Sequence, residues 1–344
     1  MKLSITIQNF ELPLKNPFTI SRYTVTVQQT VVVSISDGNY TGYGEATVNP
    51  YYNSTVESIQ ASARSVKVVL EAVEKHTHPT KLWTQLEPYL KDNYFALCAI
   101  DCAYWDVYAK QQQKPLRRFW STDDLKLPKT NFTIGIDSVA IMKSKILETP
   151  WPIYKIKLGT QNDIKIIQSL REVTNAVFRV DANCAWTVEE TLKNAKILKE
   201  LGVEFIEQPL KADNWEGMKI LKEKSVLPII ADESCKKLAD VSSCAAVFHG
   251  INIKLMKCGG ITPALQMIQI AKAKHLKVMV GCMTESTIGI SNLAQLAPLL
   301  DYIDADGALL LQNDIAKGVT FQNGDIRYAN GNGSGALLNS ELQK

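Results

Sequence analysis

Five residues able to do acid–base or metal chemistry recur at near-constant intervals through the middle of this 344-residue chain. Lys157, Asp181, Glu207, Asp232 and Lys254 each close a short apolar run, at successive steps of 24, 26, 25 and 22 residues. Each step is about one strand plus one helix, so in a β/α barrel all five side chains reach one mouth at similar heights. Three carboxylates there repel one another unless a cation neutralises them. An oxygen-only set without His or Cys suits a hard divalent ion, Mg²⁺ first and Mn²⁺ second. Any one of these acids taken singly is as readily a helix cap or a loop acid; three on consecutive strands favour the metal. Lys155 and Lys157 share one face of their strand, as do Asn252 and Lys254. Mutual repulsion and a nearby cation would let one lysine lose its proton near neutral pH and act as a base. The alternative for each is a solvated strand-end lysine. Lys257 falls past the strand beside Gly259 and Gly260 and reads as a loop residue facing solvent.

The positioning elements are legible around these residues. Short apolar runs at Phe132–Ile136, Ile153–Leu158, Val177–Asp181, Phe205–Glu207, Ile229–Asp232, Ile251–Leu255, Val278–Gly281 and Tyr302–Asp304 alternate with helical segments. Thr187 and Glu190 form a capping box, and Thr262-Pro263 places proline at a first helical turn. Eight strands at this rhythm favour an α/β fold closed as a TIM-like barrel. Residues 1–122 read as an α+β cap. It begins with a three-stranded meander, whose hairpin signal is Asp37-Gly38, and continues as helices from Val56 to Lys110. Pro115 and the polar Ser121–Asp124 stretch mark its end, so the barrel is expected over 123–310. Residues 311–344, with glycines and a short strand signal, are expected to pack back on the cap.

Bulk properties exclude other classes. Basic and acidic residues number 38 and 35, for a net charge of +3, and they interleave too evenly for a nucleic-acid face. No run of about 18 apolar residues could span a membrane, and the start reads as a strand rather than a signal peptide. A cytoplasmic protein is the expectation. Seven scattered cysteines contain no Cys-x-x-Cys pair. Cys98 and Cys102 read as core, and Cys258 and Cys282 as bystanders near the mouth.

As a set, Lys155-Ile156-Lys157, Val180-Asp181-Ala182-Asn183, Glu207-Gln208-Pro209, Ala231-Asp232-Glu233-Ser234 and the run Asn252 to Gly260 resemble the enolase superfamily in its muconate lactonizing subgroup. Gly42-Tyr43-Gly44-Glu45-Ala46 extends the resemblance into the cap, so it covers nearly the whole chain. The resemblance implies a modified (β/α)7β barrel with an N-terminal capping domain. It implies Mg²⁺ on Asp181, Glu207 and Asp232, and Lys157 and Lys254 on opposite faces of a carboxylate-bound substrate, with Lys155 tuning Lys157. Superfamily sites of this kind are known to combine a Lys or His base with metal that stabilises an ene-diolate.

Within the superfamily, Asp304-Ala305-Asp306 resembles the Asp-x-Asp pair by which dipeptide epimerases hold a substrate ammonium. It implies a small dipeptide substrate and 1,1-proton transfer next to its carboxylate. Side-chain selection would fall to Arg22, Tyr23 and Tyr51 in the cap loops, with Met283 in the Gly281–Glu285 loop. Relatives specific for Ala-Glu carry an arginine where the ungapped match puts Tyr23, with Arg22 one residue away, which weighs against acidic specificity. An o-succinylbenzoate synthase, a muconate cycloisomerase-like enzyme and an inactive binding barrel remain as alternatives. Relatives often form symmetric homo-oligomers, but no interface can be read from these residues.

Overall fold

Alternation and turn chemistry at the start of the chain build an antiparallel sheet. β1 (Ser4–Thr19) pairs with β2 (Thr24–Ser36), and β2 with β3 (Thr41–Thr47), giving the expected meander. The computed structural model describes residues 2–74, 76–122 and 126–339; the expected boundary at 122/123 abuts residues outside that description. Helices α1 (Val56–Ser65), α2 (Lys67–Glu71), α3 (Pro79–Leu90) and α4 (Tyr94–Gln111) follow. α4 is buried on nearly every side, Cys98 and Cys102 included. It approaches β3 so closely that a Cβ on Gly42 or Gly44 would sit 2.2 or 2.0 Å from a backbone oxygen of α4. Only glycine fits there.

The rest of the chain alternates strand and helix. The barrel strands are β4 (Phe132–Ile134), β5 (Ile153–Lys157), β6 (Val177–Asp181), β7 (Val203–Glu207), β8 (Ile229–Ala231), β9 (Gly250–Ile253), β10 (Lys277–Gly281) and β11 (Tyr302–Asp304). All run parallel in sequence order, and a parallel bridge between Thr130 and Ile303 joins the two ends of the series. The covering helices are α5 (Val139–Glu148), α6 (Asp163–Arg171), α7 (Val188–Glu200), α8 (Trp215–Lys224), α9 (Asp240–Val247), the single turn α10 (Leu255–Cys258), α11 (Ile261–Ala273) and α12 (Thr287–Ala294). The capping box at Thr187 and Glu190 forms as expected. The eight-stranded barrel holds, but β8 and β9 end before Asp232 and Lys254, which stand just past their strands. Among the described residues no helix is long and apolar enough to cross a membrane.

Beyond β11 the single expected strand is in fact two short antiparallel pairs. β12 (Ala316–Lys317) pairs with β15 (Leu337–Leu338), and β13 (Thr320–Gln322) with β14 (Asp325–Arg327). Leu311, Ile315, Ala336 and Leu338 bury themselves with Leu12, Leu14, Val32 and Tyr43.

The N-terminal sheet is tied to the barrel through a buried acid. Glu45 of β3 accepts hydrogen bonds from the amides of Ser286 and Gly289, at 3.0 Å each, and from the hydroxyls of Ser286 and Thr30. An anion at the N-terminus of α12 is favoured by the free amides and the helix dipole. Glu45→Ala strands those donors in a dry interface. It should lower unfolding free energy by about 3 kcal/mol, read by urea denaturation; a loss below about 1 kcal/mol would show that the contact does not hold the two parts together.

Candidate active site

Strand alternation points Lys155 and Lys157 of β5 into the barrel, and the ends of β6 and β7 add Asp181 and Glu207. Lys157 lies on the second barrel strand and Lys254 just past the sixth, half a circuit away, with the three acids on the strands between them. One ligand oxygen each from Asp181, Glu207 and Asp232 falls within 4.8 Å of the others, and all three residues are buried.

Every amine in the mouth engages an acid. Lys157 Nζ lies 2.6 Å from Asp181 Oδ2, and Lys254 Nζ 3.0 Å from Asp232 Oδ2. Lys155 Nζ lies 2.8 Å from both Glu207 and Asp304 and 3.5 Å from Asp181. It therefore compensates three acids, a broader task than tuning Lys157. Burial disfavours the charged form of Lys155 and Lys254, yet the facing carboxylates outweigh it and raise both above the ordinary lysine range. Acids, rather than other amines, are the nearest charged neighbours of both, and they outweigh the amine–amine repulsion.

The acids split in response. Burial would raise Asp181 and Asp232, but Lys157 and Lys155 hold the first down, and Lys254 and Lys257 hold the second well below the usual range. Glu207 goes the other way, to about 7, because burial, Asp181 and Asp232 outweigh Lys155. Three buried carboxylates thus converge, with one oxygen of each within 4.8 Å of the others. A further cation, bound by three clustered carboxylate oxygens, is what this donor set fits.

Lys257, expected to face solvent, is buried on α10. It donates to Asp232 Oδ1 at 2.6 Å and to the carbonyls of Asp232, Cys235 and Asn252. The expectation failed because α10 starts directly after Lys254 and turns Lys257 back beneath Asp232. Two further positioning groups were not singled out. Asn252 Nδ2 donates to Glu207 Oε1 at 2.8 Å, and Gln208 Oε1 accepts from the amides of Asp232 and Ser234. Asn252 was visible only as a face-sharing neighbour of Lys254. Asn183, Cys184 and Gln208 hold left-handed backbone at φ 44°, 69° and 35° just after two of the acids, a strain that concentrates at functional sites.

A cavity opens above these groups, lined by Lys155, Lys157, Asp232, Lys254, Asp304 and Asp306, and by Arg22, Tyr23 and Met283 from the loops. Asp304 also accepts from Asn131 at 2.7 Å, and Asp306 accepts the Thr133 amide. Burial and the adjacent Asp304 push Asp306 up to about 7, whereas Asp304, buried but held by Lys155, is lowered. Tyr51 does not line the cavity. Its ring lies under the Arg22 guanidinium, 4.3 Å away, and Tyr52 lines the wall instead. Arg22 is itself paired, 2.7 Å from buried Glu233. Cys282, read as a bystander, lines the cavity with its sulfur 3.8 Å from Asp306; Cys258 is buried outside that lining.

Known proteins are similar to this chain along nearly its whole length. A family model described as enolase C-terminal domain-like matches residues 139–342, and the mandelate racemase/muconate lactonizing enzyme N-terminal domain matches residues 2–119. A Flavobacterium johnsoniae protein named L-Ala-D/L-amino acid epimerase is 52% identical over 98% of this chain and 100% of its own length. A substrate-liganded L-Ala-D/L-Glu epimerase from Bacillus subtilis superposes with TM-score 0.92 at 28% identity, covering 98% of this chain and 99% of that one. An Enterococcus faecalis dipeptide epimerase complexed with Mg and L-Leu-L-Tyr gives the same TM-score, identity and coverage.

Lys257→Met removes the amine that fixes Asp232 from below. Mg²⁺ affinity, measured by titration calorimetry, should fall about 10- to 100-fold, as for other losses of outer-shell support. Unchanged affinity in the folded variant would remove Lys257 from ligand positioning.

Proposed function

The chain belongs to the mandelate racemase/muconate lactonizing enzyme family of the enolase superfamily, and on that premise we propose that it is a divalent-metal dipeptide epimerase. It is an isomerase that inverts the stereocentre beside a dipeptide's carboxylate. The observation that carries this reading is one cavity lined by two amines half a barrel circuit apart, by the Asp304–Asp306 pair and by Asp232, which belongs to the three-acid cluster between the amines. Substrates of cycloisomerases and succinylbenzoate synthases carry no ammonium that would need such a pair, and the relatives named above act in the same sense.

Asp181, Glu207 and Asp232 would hold Mg²⁺, or Mn²⁺ of the same hard class. When bound, the cation supplies a positive anchor for the substrate carboxylate and shares the charge that develops as the α-proton leaves. The remaining work falls to the chain's own groups. Lys157 faces one side of the α-carbon and Lys254 the other. The unprotonated amine takes the α-proton while the opposite ammonium delivers one, which inverts the centre. Each amine lies 2.6–3.0 Å from a carboxylate, so the one that serves as base must first leave that contact. Asp304 and Asp306 receive the substrate ammonium, and Lys155 and Asn131 keep Asp304 ionised and fixed for it.

The C-terminal side chain of the substrate meets Arg22, whose charge Glu233 already offsets. Neutral side chains are therefore preferred over acidic ones. This fits the broad amino-acid range in the name of the Flavobacterium relative better than a glutamate-specific enzyme.

In ²H₂O the wild-type enzyme should place one deuteron at the α-carbon of an L-Ala-L-Xaa dipeptide as it epimerises; no exchange with any dipeptide would return the reading to an eliminating or cycloisomerising relative. Lys157→Ala and Lys254→Ala should each lower kcat by about 10²- to 10⁴-fold, and activity surviving either would defeat the two-amine assignment. Glu233→Gln releases the Arg22 charge. It should raise kcat/KM for L-Ala-L-Glu relative to L-Ala-L-Met on the order of tenfold, the worth of one charge-assisted hydrogen bond; an unmoved ratio would separate Arg22 from side-chain selection.

A further inference from the structure

A second cavity, of about 260 Å³, lies against the first. Phe18, Thr133 and Leu310 line both. Its walls are largely apolar and aromatic: Phe132 of β4, Trp151, Phe321, Pro17 and Leu309 complete them. The charged groups at its edge are committed elsewhere. Lys15 donates to the Leu309 carbonyl at 2.9 Å, Lys145 pairs with Asp137 at 3.2 Å, and Ser144 donates to Glu148.

An irregularity in β1 creates this space. Pro13 pairs with Val27 and Phe18 with Val25, so four residues of β1, 14–17, stand opposite the single Thr26 of β2. Within the extra chain Leu14 bridges to Leu311, and Lys15, Asn16 and Pro17 line the second cavity. Phe18 is left half-buried as a wall common to the two cavities. This wall stands at one particular end of the active cavity. Thr133, shared by both spaces, gives its amide to Asp306, the acid assigned to the substrate ammonium.

A dipeptide's first side chain leaves the carbon that bears its ammonium. With that ammonium on Asp304 and Asp306, the side chain leaves from the end of the site where Thr133, which lines both cavities, holds Asp306. We propose that the second cavity is the subsite for a bulky apolar or aromatic side chain on the substrate's N-terminal residue. The inference rests on the dipeptide reading above. An apolar cavity of roughly 150 Å³ holds a benzene ring, so the volume suits phenylalanine or leucine. The committed lysines leave no free charge to recruit an acidic side chain. An alanyl dipeptide leaves the subsite unused, so bulk at this position separates it from the rest of the site.

Turnover of L-Phe-L-Ala and L-Leu-L-Ala, compared with L-Ala-L-Ala, tests the assignment. The wild-type enzyme should epimerise all three with kcat/KM values within about tenfold of one another. Thr149→Trp fills the cavity from a position outside the active cavity, and Glu148→Trp does so from an exposed site that folding does not depend on. Either should lower kcat/KM for the two bulky substrates roughly 10- to 100-fold and leave L-Ala-L-Ala unchanged. Turnover of L-Ala-L-Ala with rejection of both bulky substrates by the wild-type enzyme, or filled variants that keep the bulky activity, would overturn the subsite alone. Failure to epimerise any dipeptide would take down the functional reading and this inference with it.

Discussion

Six carboxyl groups, those of Asp181, Glu207, Asp232, Glu233, Asp304 and Asp306, are buried around one barrel mouth, and their mutual repulsion is the constraint the site is built against. Two like charges about 4 Å apart repel by about 4 kcal/mol even at an effective dielectric of roughly 20. No fold of ordinary stability tolerates several such pairs uncompensated. Lys155, Lys157, Lys254, Lys257 and Arg22 answer them, each within 3.0 Å of at least one acid. Burial first, and the neighbouring acids second, still push Glu207 and Asp306 up to about 7. The same crowding of acids is what the proposed function uses to receive a cation and a substrate ammonium.

This compensation also sorts the amines. Lys155 and Lys257 are locked beneath the acids, by three carboxylates in one case and by a carboxylate and three carbonyls in the other. Lys155, Lys157 and Lys254 all line the cavity, but Lys157 and Lys254 each pair with a single acid, Asp181 and Asp232, from opposite sides of the barrel. Position in the charge network, more than residue type, separates a proton carrier from a structural counter-ion.

The N-terminal sheet completes the site from above. Glu45 seats β3 on the N-terminus of α12, and that seating brings Arg22, Tyr23 and Tyr52 over the mouth. The irregularity at residues 14–17 of β1 then decides how far the cavity extends beyond the paired aspartates. The cap thus supplies loop walls of the cavity, and the barrel supplies its amines and acids.

Sequence alone determined the barrel, the three clustered acids and the two opposed lysines, because strand and helix lengths fix a period and each period returns the chain to the same mouth. The superfamily resemblance added the significance of Asp304 and Asp306. Contacts that depend on how one turn bends were not legible. Lys257 sits two positions before a pair of glycines, which reads as loop, yet a single helical turn carries it under Asp232. Tyr51 and Tyr52 are adjacent and alike, and only the short 3₁₀ turn spanning Pro50–Tyr52 decides that one braces Arg22 while the other lines the cavity. The Arg22–Glu233 pair joins residues 211 apart in the chain. Periodic patterns survive in one dimension because they repeat; a pairing between distant, unrepeated positions exists only once the barrel has closed and the cap has docked.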